Sequence, residues 1–471
     1  MLYVFSLSTF TNPSQRRSKR GSSTPISYLP PELLLEVFQW VVASPESGAS
    51  HPHLGPWTLL EVCRSWESLI VSSPSLWRYI TIPRGSNIRD AQRLRLELGR
   101  SGDLPLVVNL HDAVITPLLD MIIAHSHRWE HAHLSITSPQ LLSLKRIQEL
   151  PLLRTLALTI RHDSHTNSHI INLSSNLDIF QRATKLDQAA VDISSAAFQP
   201  IAEVPMLRLP WGQLTRLELK AESLLLGAES DEGYIVLPSL RVLHCIDEPP
   251  ALQRLLTLNL CHIILTHGQA SWEEPRQSYY HVLRLLQRSD CDIHTLEIHA
   301  LTHGTRLPSR SVVRILEQVQ FVKEVRFVVA HMSSVLDIDW QSFGFPFTFE
   351  GLQTFTLRVR DSRSKYISDL LLVPRVNETL EEDRREFLRD SDTDLRTLEA
   401  YRYNAAALLE MFQSRRRLPG LQKVVLDFPD SPYLDWFIAP QVLDQLRELD
   451  EGGIHVCFPG VDYSEKVGHR T

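Results

Sequence analysis

Leu150-Pro-Leu-Leu-Arg-Thr-Leu-Ala-Leu-Thr-Ile160 is the stretch from which the fold is read. It has the form Leu-x-x-Leu-x-Leu-x-hydrophobic, and the form recurs. Leu214-Thr-Arg-Leu-Glu-Leu219, Leu237-Pro-Ser-Leu-Arg-Val-Leu-His-Cys-Ile246, Ile293-His-Thr-Leu-Glu-Ile298, Val322-Lys-Glu-Val-Arg-Phe-Val328, Leu352-Gln-Thr-Phe-Thr-Leu357 and Leu421-Gln-Lys-Val-Val-Leu426 repeat it down the chain. Apolar residues two apart, such as Leu217 with Leu219 and Leu296 with Ile298, suit strands with one buried face, because successive side chains on a strand point to opposite sides. The stretches between them suit helices.

Spacing tests that reading. Leu217 and Leu243 lie 26 residues apart, Leu296, Val325 and Phe355 follow one another at 29 and 30, and Leu134 to Leu156 is 22. These intervals sit at or slightly beyond the roughly 20–29 residues of a leucine-rich repeat, which folds as a strand and a helix per unit. On these segments the chain resembles an irregular leucine-rich repeat. The resemblance implies an α/β solenoid with a curved parallel sheet over residues 83–461. Leu243 to Leu296 requires a doubled or inserted unit, and a non-repetitive α/β domain is the alternative. Each strand–helix unit has an apolar face it cannot bury alone, so neighbours stack into one sheet. Arg216, Glu218 and Lys220, and likewise Thr295, Glu297 and His299, then point outward at two-residue spacing. They form a candidate partner-binding face, although solvated surface is the commoner fate of such residues.

A different pattern occupies residues 26–82. Ile26-Ser-Tyr-Leu-Pro-Pro-Glu-Leu-Leu-Leu-Glu-Val-Phe-Gln-Trp40 is followed by Leu59-Leu-Glu-Val-Cys-Arg-Ser-Trp66 and Pro74-Ser-Leu-Trp-Arg78. Pro30 and Pro31 fix φ near helical values, and Glu32 complements the positive end of a helix dipole, so a helix begins close to Pro31. Leu33 with Val37, and Leu34 with Phe38, are spaced i, i+4 and make a wide apolar stripe. A second helix is expected from about Trp57 to Ser72, with Leu59, Cys63, Trp66 and Ile70 packing back on the first and Pro74 ending the run.

The order of Leu29-Pro30, Glu32, Phe38, Val62-Cys63-Arg64, Trp66, Pro74 and Leu76-Trp77 in one short window resembles an F-box. In that family the module binds the Skp-type adaptor of a cullin-RING ubiquitin ligase. The resemblance implies that Leu29, Pro30, Leu33, Leu34, Val37 and Phe38, with Val62, Cys63 and Trp66 behind or beside them, form or support the adaptor interface. The interval Ala43–Pro56 is longer than the family's usual turn and lacks its Asp-Leu pair. Loop closure costs only about 0.6 kcal/mol per doubling of length, so adaptor binding is compatible with it.

The chain of 471 residues exceeds one usual domain, and one small module plus one long array accounts for it. The expected division is a disordered leader at 1–24, an F-box at 25–82, the repeat domain at 83–461 and a polar tail at 462–471. A formal charge of -7 and a pI near 6.3 argue against a general nucleic-acid binder. Cys63, Cys245, Cys261, Cys291 and Cys457 are odd in number and widely spaced, as reduced core thiols are, which implies a cytoplasmic or nuclear compartment. The apolar Met1–Phe10 stretch is too short to span a bilayer and lacks a basic flank and a cleavage site, so no membrane association is expected. Arg16-Arg-Ser-Lys-Arg20 reads as a solvated leader. Asn377–Asp394 reads as a charged insertion or surface helix leading to Leu395–Phe412, and a final strand is expected at Ile454–Phe458.

No catalytic constellation is found. The sequence has no Gly-rich phosphate loop ending in Lys-Ser/Thr, no Gly-x-Ser-x-Gly elbow and no Cys-x-x-Cys pair. His127 and His131 would share a helical face only if a helix continued through them, and a metal site needs further ligands. They read instead as surface or capping residues where a helix passes into a strand. Arg415–Arg417 reads as a helix C-terminal basic run. No cofactor, metal or catalytic residue is therefore assigned. The expected function is a non-catalytic substrate-recognition subunit of an SCF-type ubiquitin ligase acting on an unidentified protein. The alternative is a ligase-independent leucine-rich-repeat scaffold.

Overall fold

The computed structural model describes residues 26, 29–43, 55–83, 85–111, 115–141, 143–161, 178–193, 207–220, 233–246, 250–267, 279–300, 309–319, 321–329, 351–359, 420–427, 448–449 and 451–457. The expectations for 1–24, 377–394, 395–412, 415–417 and 462–471, and for most of the 43–56 interval, lie outside these. The chain divides into two compact units between Trp77 and Arg78.

The first unit is helical. Helix α1 runs Pro31–Ala43, and its first turn closes where the Leu34 amide donates to the Pro30 carbonyl at 3.0 Å. Leu34, Phe38 and Val42 recur every four residues and are buried. Phe38 meets Trp66 edge to face at 4.6 Å between ring centroids, and Trp57 meets Trp77 in the same manner at 5.2 Å. The indole of Trp77 also donates to the Ile70 carbonyl at 2.8 Å, so this buried ring satisfies its one polar atom.

The second helix differs from the sequence expectation. It is two pieces, α2 at Pro56–Leu60 and α3 at Arg64–Val71, not one run from Trp57 to Ser72. The amides of Glu61 and Val62 bond only three residues back, which tightens and ends the last turn of α2. Cys63 is then fully extended, with φ -162° and ψ 163°, and its carbonyl accepts the Glu67 amide at 2.9 Å to start α3. Pro74 opens a short 3-10 turn, Pro74–Leu76, rather than simply terminating the helix.

The second unit is an α/β solenoid built on one sheet. Its strands are β1 (Tyr79–Ile82), β2 (Leu106–Leu110), β3 (Trp129–Thr137), β4 (Thr155–Arg161), β5 (Gln188–Ile193), β6 (Arg216–Lys220), β8 (Val242–Ile246), β10 (His262–His267), β11 (Thr295–Ala300), β12 (Glu324–Val329), β13 (Thr354–Val359), β14 (Lys423–Asp427) and β15 (His455–Cys457). Among the described residues these make a 13-stranded sheet in which every pairing is parallel and each strand lies beside the next in chain order. The missing numbers, β7 (Ile235–Leu237) and β9 (Leu255–Thr257), pair in a separate two-stranded parallel sheet.

Register explains why one core serves all the strands. One ladder pairs Leu156 with Ala189, then Leu217, Leu243, Ile263, Leu296, Val325 and Phe355 in turn. A second, two residues on, pairs Leu158 with Val191, Leu219, Cys245, Leu265, Ile298, Phe327 and Leu357. All of these residues are buried. Burying each large aliphatic or aromatic side chain contributes roughly 1.5–3 kcal/mol before entropy is counted. Helices Asp90–Arg100, Thr116–Ile123, Tyr280–Ser289 and Ser309–Gln318 lie between strands, and among the described residues short 3-10 turns such as Trp211–Gln213 lie within several other connections.

One detail of the sequence reading is filled in by the structure and two depart from it. The doubled unit between Leu243 and Leu296 is resolved by β10, whose Ile263 sits 20 residues after the first and 33 before the second. Leu134 pairs with Leu158, and Ala132 takes the place opposite Leu156. A small alanine hides that register in the sequence. The sheet also begins earlier than residue 83, because Tyr79–Ile82 pairs in register with Val107–Leu110.

Candidate interaction surfaces

In the first unit the residues expected to form or support an interface fall into two sets. Leu34 and Phe38 are buried, and Trp66 is half-buried against Phe38. Leu29, Pro30, Leu33, Val37, Val62 and Cys63 are exposed. This division follows from helix geometry, since the row Leu34–Phe38–Val42 faces the partner helices and the adjacent row Leu33–Val37 is turned about 100° away. The exposed row also carries Trp40 and Val41, with Trp40 80% exposed. Trp40 was not singled out from the sequence, although it stands three residues after Val37 and seven after Leu33, on the same helical face.

In the second unit the outward rows of the sheet carry polar side chains that satisfy one another. His244 bridges two strands, with Nδ1 2.9 Å from Glu218 Oε2 and Nε2 2.7 Å from Thr266 Oγ1. His299 Nε2 lies 2.6 Å from Glu297 Oε1, and Arg326 Nη1 lies 3.6 Å from Glu297 Oε2. His262 Nε2 stands 3.5 Å from the same Oε2, at the limit of hydrogen-bond distance, and has no other partner among the described residues. Arg326 grips Glu324 with both arms, at 2.8 and 2.9 Å. Lys220 pairs with Asp192 at 3.0 Å, and Arg358 with Asp427 at 3.1 Å. The expected outward residues Glu218, Lys220, Glu297 and His299 thus belong to one polar face.

Electrostatics follow the contacts. The imidazole of His244, by hydrogen bond and by charge, and then Arg216 hold the Glu218 carboxyl below the usual carboxylate range against the opposing effect of burial. His262 and His299, then Arg326, hold Glu297 far below it. Both carboxylates therefore remain ionised through the neutral range.

The one histidine pair weighed in the sequence does not share a helical face. His127 lies in the 3-10 turn Ser126–Arg128 and His131 in β3, so no helix places them on one face. Among the described residues no group of three His, Cys, Asp or Glu side chains is arranged to hold a metal ion. His133 is pushed down by burial first and then by the charges of His131 and His111. A cleft of about 490 Å³ is lined by Asp120, Ser126, His127, Arg146 and Glu149, and its Arg146 is engaged by Asp120 at 2.7 Å. Nearby, buried Arg128 is structural: it donates to the Ser101 hydroxyl and twice to the Leu104 carbonyl at 2.8–3.0 Å.

Among the described residues no disulfide joins the cysteines, and no helix is long and apolar enough to cross a membrane. No protein-family model matches the chain, and no curated protein matches it.

Proposed function

We infer that the chain is a non-catalytic substrate-recognition adaptor of an SCF-type cullin-RING ubiquitin ligase. Its N-terminal helical unit docks the Skp-type adaptor, and its repeat domain holds the target protein. One observation carries this reading: in the window whose residues resemble an F-box, Leu29, Leu33, Val37 and Val62 are large apolar side chains left in solvent. Each is only about half exposed, so covering what remains would contribute roughly 1 kcal/mol apiece. Leu34, Phe38 and Trp66 act from behind, fixing the helix that presents them. Phosphate loops, nucleophile elbows and cysteine pairs are missing from the sequence, so the reading assigns rate enhancement to proximity alone, the target being held near a conjugating enzyme carried elsewhere in the assembly. A cytoplasmic or nuclear location accompanies this role.

The test is capture of a purified Skp-type adaptor by the full chain and by the Leu33→Asp/Val37→Asp variant. Capture by the wild type and its loss in the variant, with the repeat domain melting unchanged, supports the reading. Undiminished capture by the variant overturns it. The long Ala43–Pro56 interval favours a second reading, a repeat scaffold that works without a ligase, for which the wild-type chain captures no adaptor.

A further inference from the structure

Three side chains on the outward face of the long sheet form a line of polar contacts that the adaptor reading leaves unused. They come from neighbouring strands, Glu218 from β6, His244 from β8 and Thr266 from β10. The parallel register sets Glu218 directly opposite His244, and Thr266 opposite Ile246, two residues further along β8. His244 therefore reaches sideways to a carboxylate and diagonally to a hydroxyl, with Nδ1 2.9 Å from Glu218 Oε2 and Nε2 2.7 Å from Thr266 Oγ1.

The partners decide where the protons lie. The Glu218 carboxylate, ionised through the neutral range, only accepts, so Nδ1 carries the hydrogen. In the neutral imidazole Nε2 then presents a lone pair, and the Thr266 hydroxyl donates to it. A carboxylate that keeps one imidazole nitrogen protonated, while the other accepts from a hydroxyl, is the arrangement that activates an oxygen nucleophile. Thr266 is 5% exposed and the His244 side chain 15%, so bulk water is largely kept from the pair and only a small reagent reaches the hydroxyl. The strand amides around Thr266 are taken up by the ladders to β8 and β11, which leaves no spare backbone donor among the described residues there for a developing oxyanion. The acyl donor that suits such a site is one whose leaving group departs without that help, an activated ester.

We propose that Thr266 is a nucleophilic hydroxyl that takes a small acyl group from an activated ester, with His244 as its general base and Glu218 positioning that base. Thr266 Oγ1 attacks the acyl carbon while its proton passes to His244 Nε2. The bond from the acyl carbon to the leaving oxygen then breaks, and the imidazolium returns the proton to that oxygen. The products are acyl-Thr266 and the free alcohol. With water largely excluded the acyl group stays in place, so Thr266 is a stoichiometric modification site, which goes beyond the adaptor reading and does not depend on it.

The test is treatment of the full chain with p-nitrophenyl acetate, with acetyl groups located by peptide mass spectrometry. Thr356 is the internal comparison, because it lies on the same face, is less buried than Thr266 and has Arg326 and Val425, not an imidazole, as its register neighbours. A positioned base contributes on the order of 10²–10⁴ in rate, so acetyl-Thr266 should form at least about tenfold faster than acetyl-Thr356, although exposure alone favours Thr356. His244→Asn should bring Thr266 down to the rate of Thr356. Two substitutions at Glu218, whose side chain is 34% exposed, separate charge from shape. Glu218→Asp keeps the charge and should retain more of the rate than Glu218→Gln, which keeps the shape, whereas a merely structural role gives the reverse order. The proposal is overturned if Thr266 is not acetylated, if it is acetylated no faster than Thr356, if a normally melting His244→Asn protein leaves its rate unchanged, or if the two Glu218 variants rank in reverse. Adaptor capture measured on the same preparations keeps this outcome separate from that of the adaptor reading, because no variant lies in the N-terminal unit.

Discussion

Helix α1 and the outward rows of the long sheet solve opposite problems. On α1 one row left over after packing is apolar, with Leu33, Val37 and Trp40 exposed beside the exposed carboxylates Glu32 and Glu36. On the sheet the leftover side chains are polar and pair among themselves, Glu218 with His244, Glu297 with His299 and Arg326 with Glu324. The first surface gains free energy by being covered. The second has little to gain from mere covering, because a partner must replace hydrogen bonds that already exist. On the proposed adaptor reading, α1 would take the constitutive partner and the sheet the selective one, judged by how well it matches fixed polar groups.

This contrast can be broken in graded ways. Phe38→Ala empties a fully buried site under α1 and should cost about 3–5 kcal/mol in the helical unit, read as loss of its melting transition together with adaptor capture. An unchanged transition would mean that Phe38 supports nothing. Removing the hydrogen bonds of buried Arg128 by Arg128→Leu should cost the repeat domain about 2–3 kcal/mol in chemical denaturation while leaving adaptor capture intact, which separates the two units.

Glu297→Gln should cost about 1–3 kcal/mol at neutral pH. Its sign with pH is fixed, because a carboxyl held below its ordinary value of 4.5 contributes stability that is present above that value and lost as pH falls toward the folded one. The melting difference between wild type and variant should therefore be full at pH 7 and shrink below about pH 4.5, and a gap that widens in acid would contradict the network. The smallest effect expected is that of salt on adaptor capture, less than about twofold between low and physiological ionic strength, since apolar burial is not screened.

The sequence disclosed the strands wherever large apolar residues alternate, as at Leu217/Leu219 and Leu296/Ile298, because that pattern has no cheaper explanation than a half-buried strand. It concealed β5, whose Gln-Ala-Ala-Val-Asp-Ile offers alanines where leucines stand elsewhere. It concealed β10 as well, where Ile263, Ile264 and Leu265 run together and all three are buried. The start of α1 was legible from Pro31, a residue with one favoured place in a helix. The break at Cys63 was not, since both pieces keep apolar residues at helical spacing. On the sheet face, Glu297 and His299 could be joined from their two-residue separation. Glu218 and His244 are 26 residues apart in sequence and meet only through the parallel register, which no local pattern reveals. Of the residues expected at the adaptor surface, the sequence could not tell contact from support, because burial depends on which side α2 and α3 occupy.

The most direct test of the adaptor reading is a calorimetric titration of the full chain with a purified Skp-type adaptor, repeated with Leu33→Asp/Val37→Asp. Saturable one-to-one binding by the wild type, weakened more than 100-fold in a variant that melts normally, is the result expected. Absence of wild-type binding, or equal binding by the two proteins, would contradict the account.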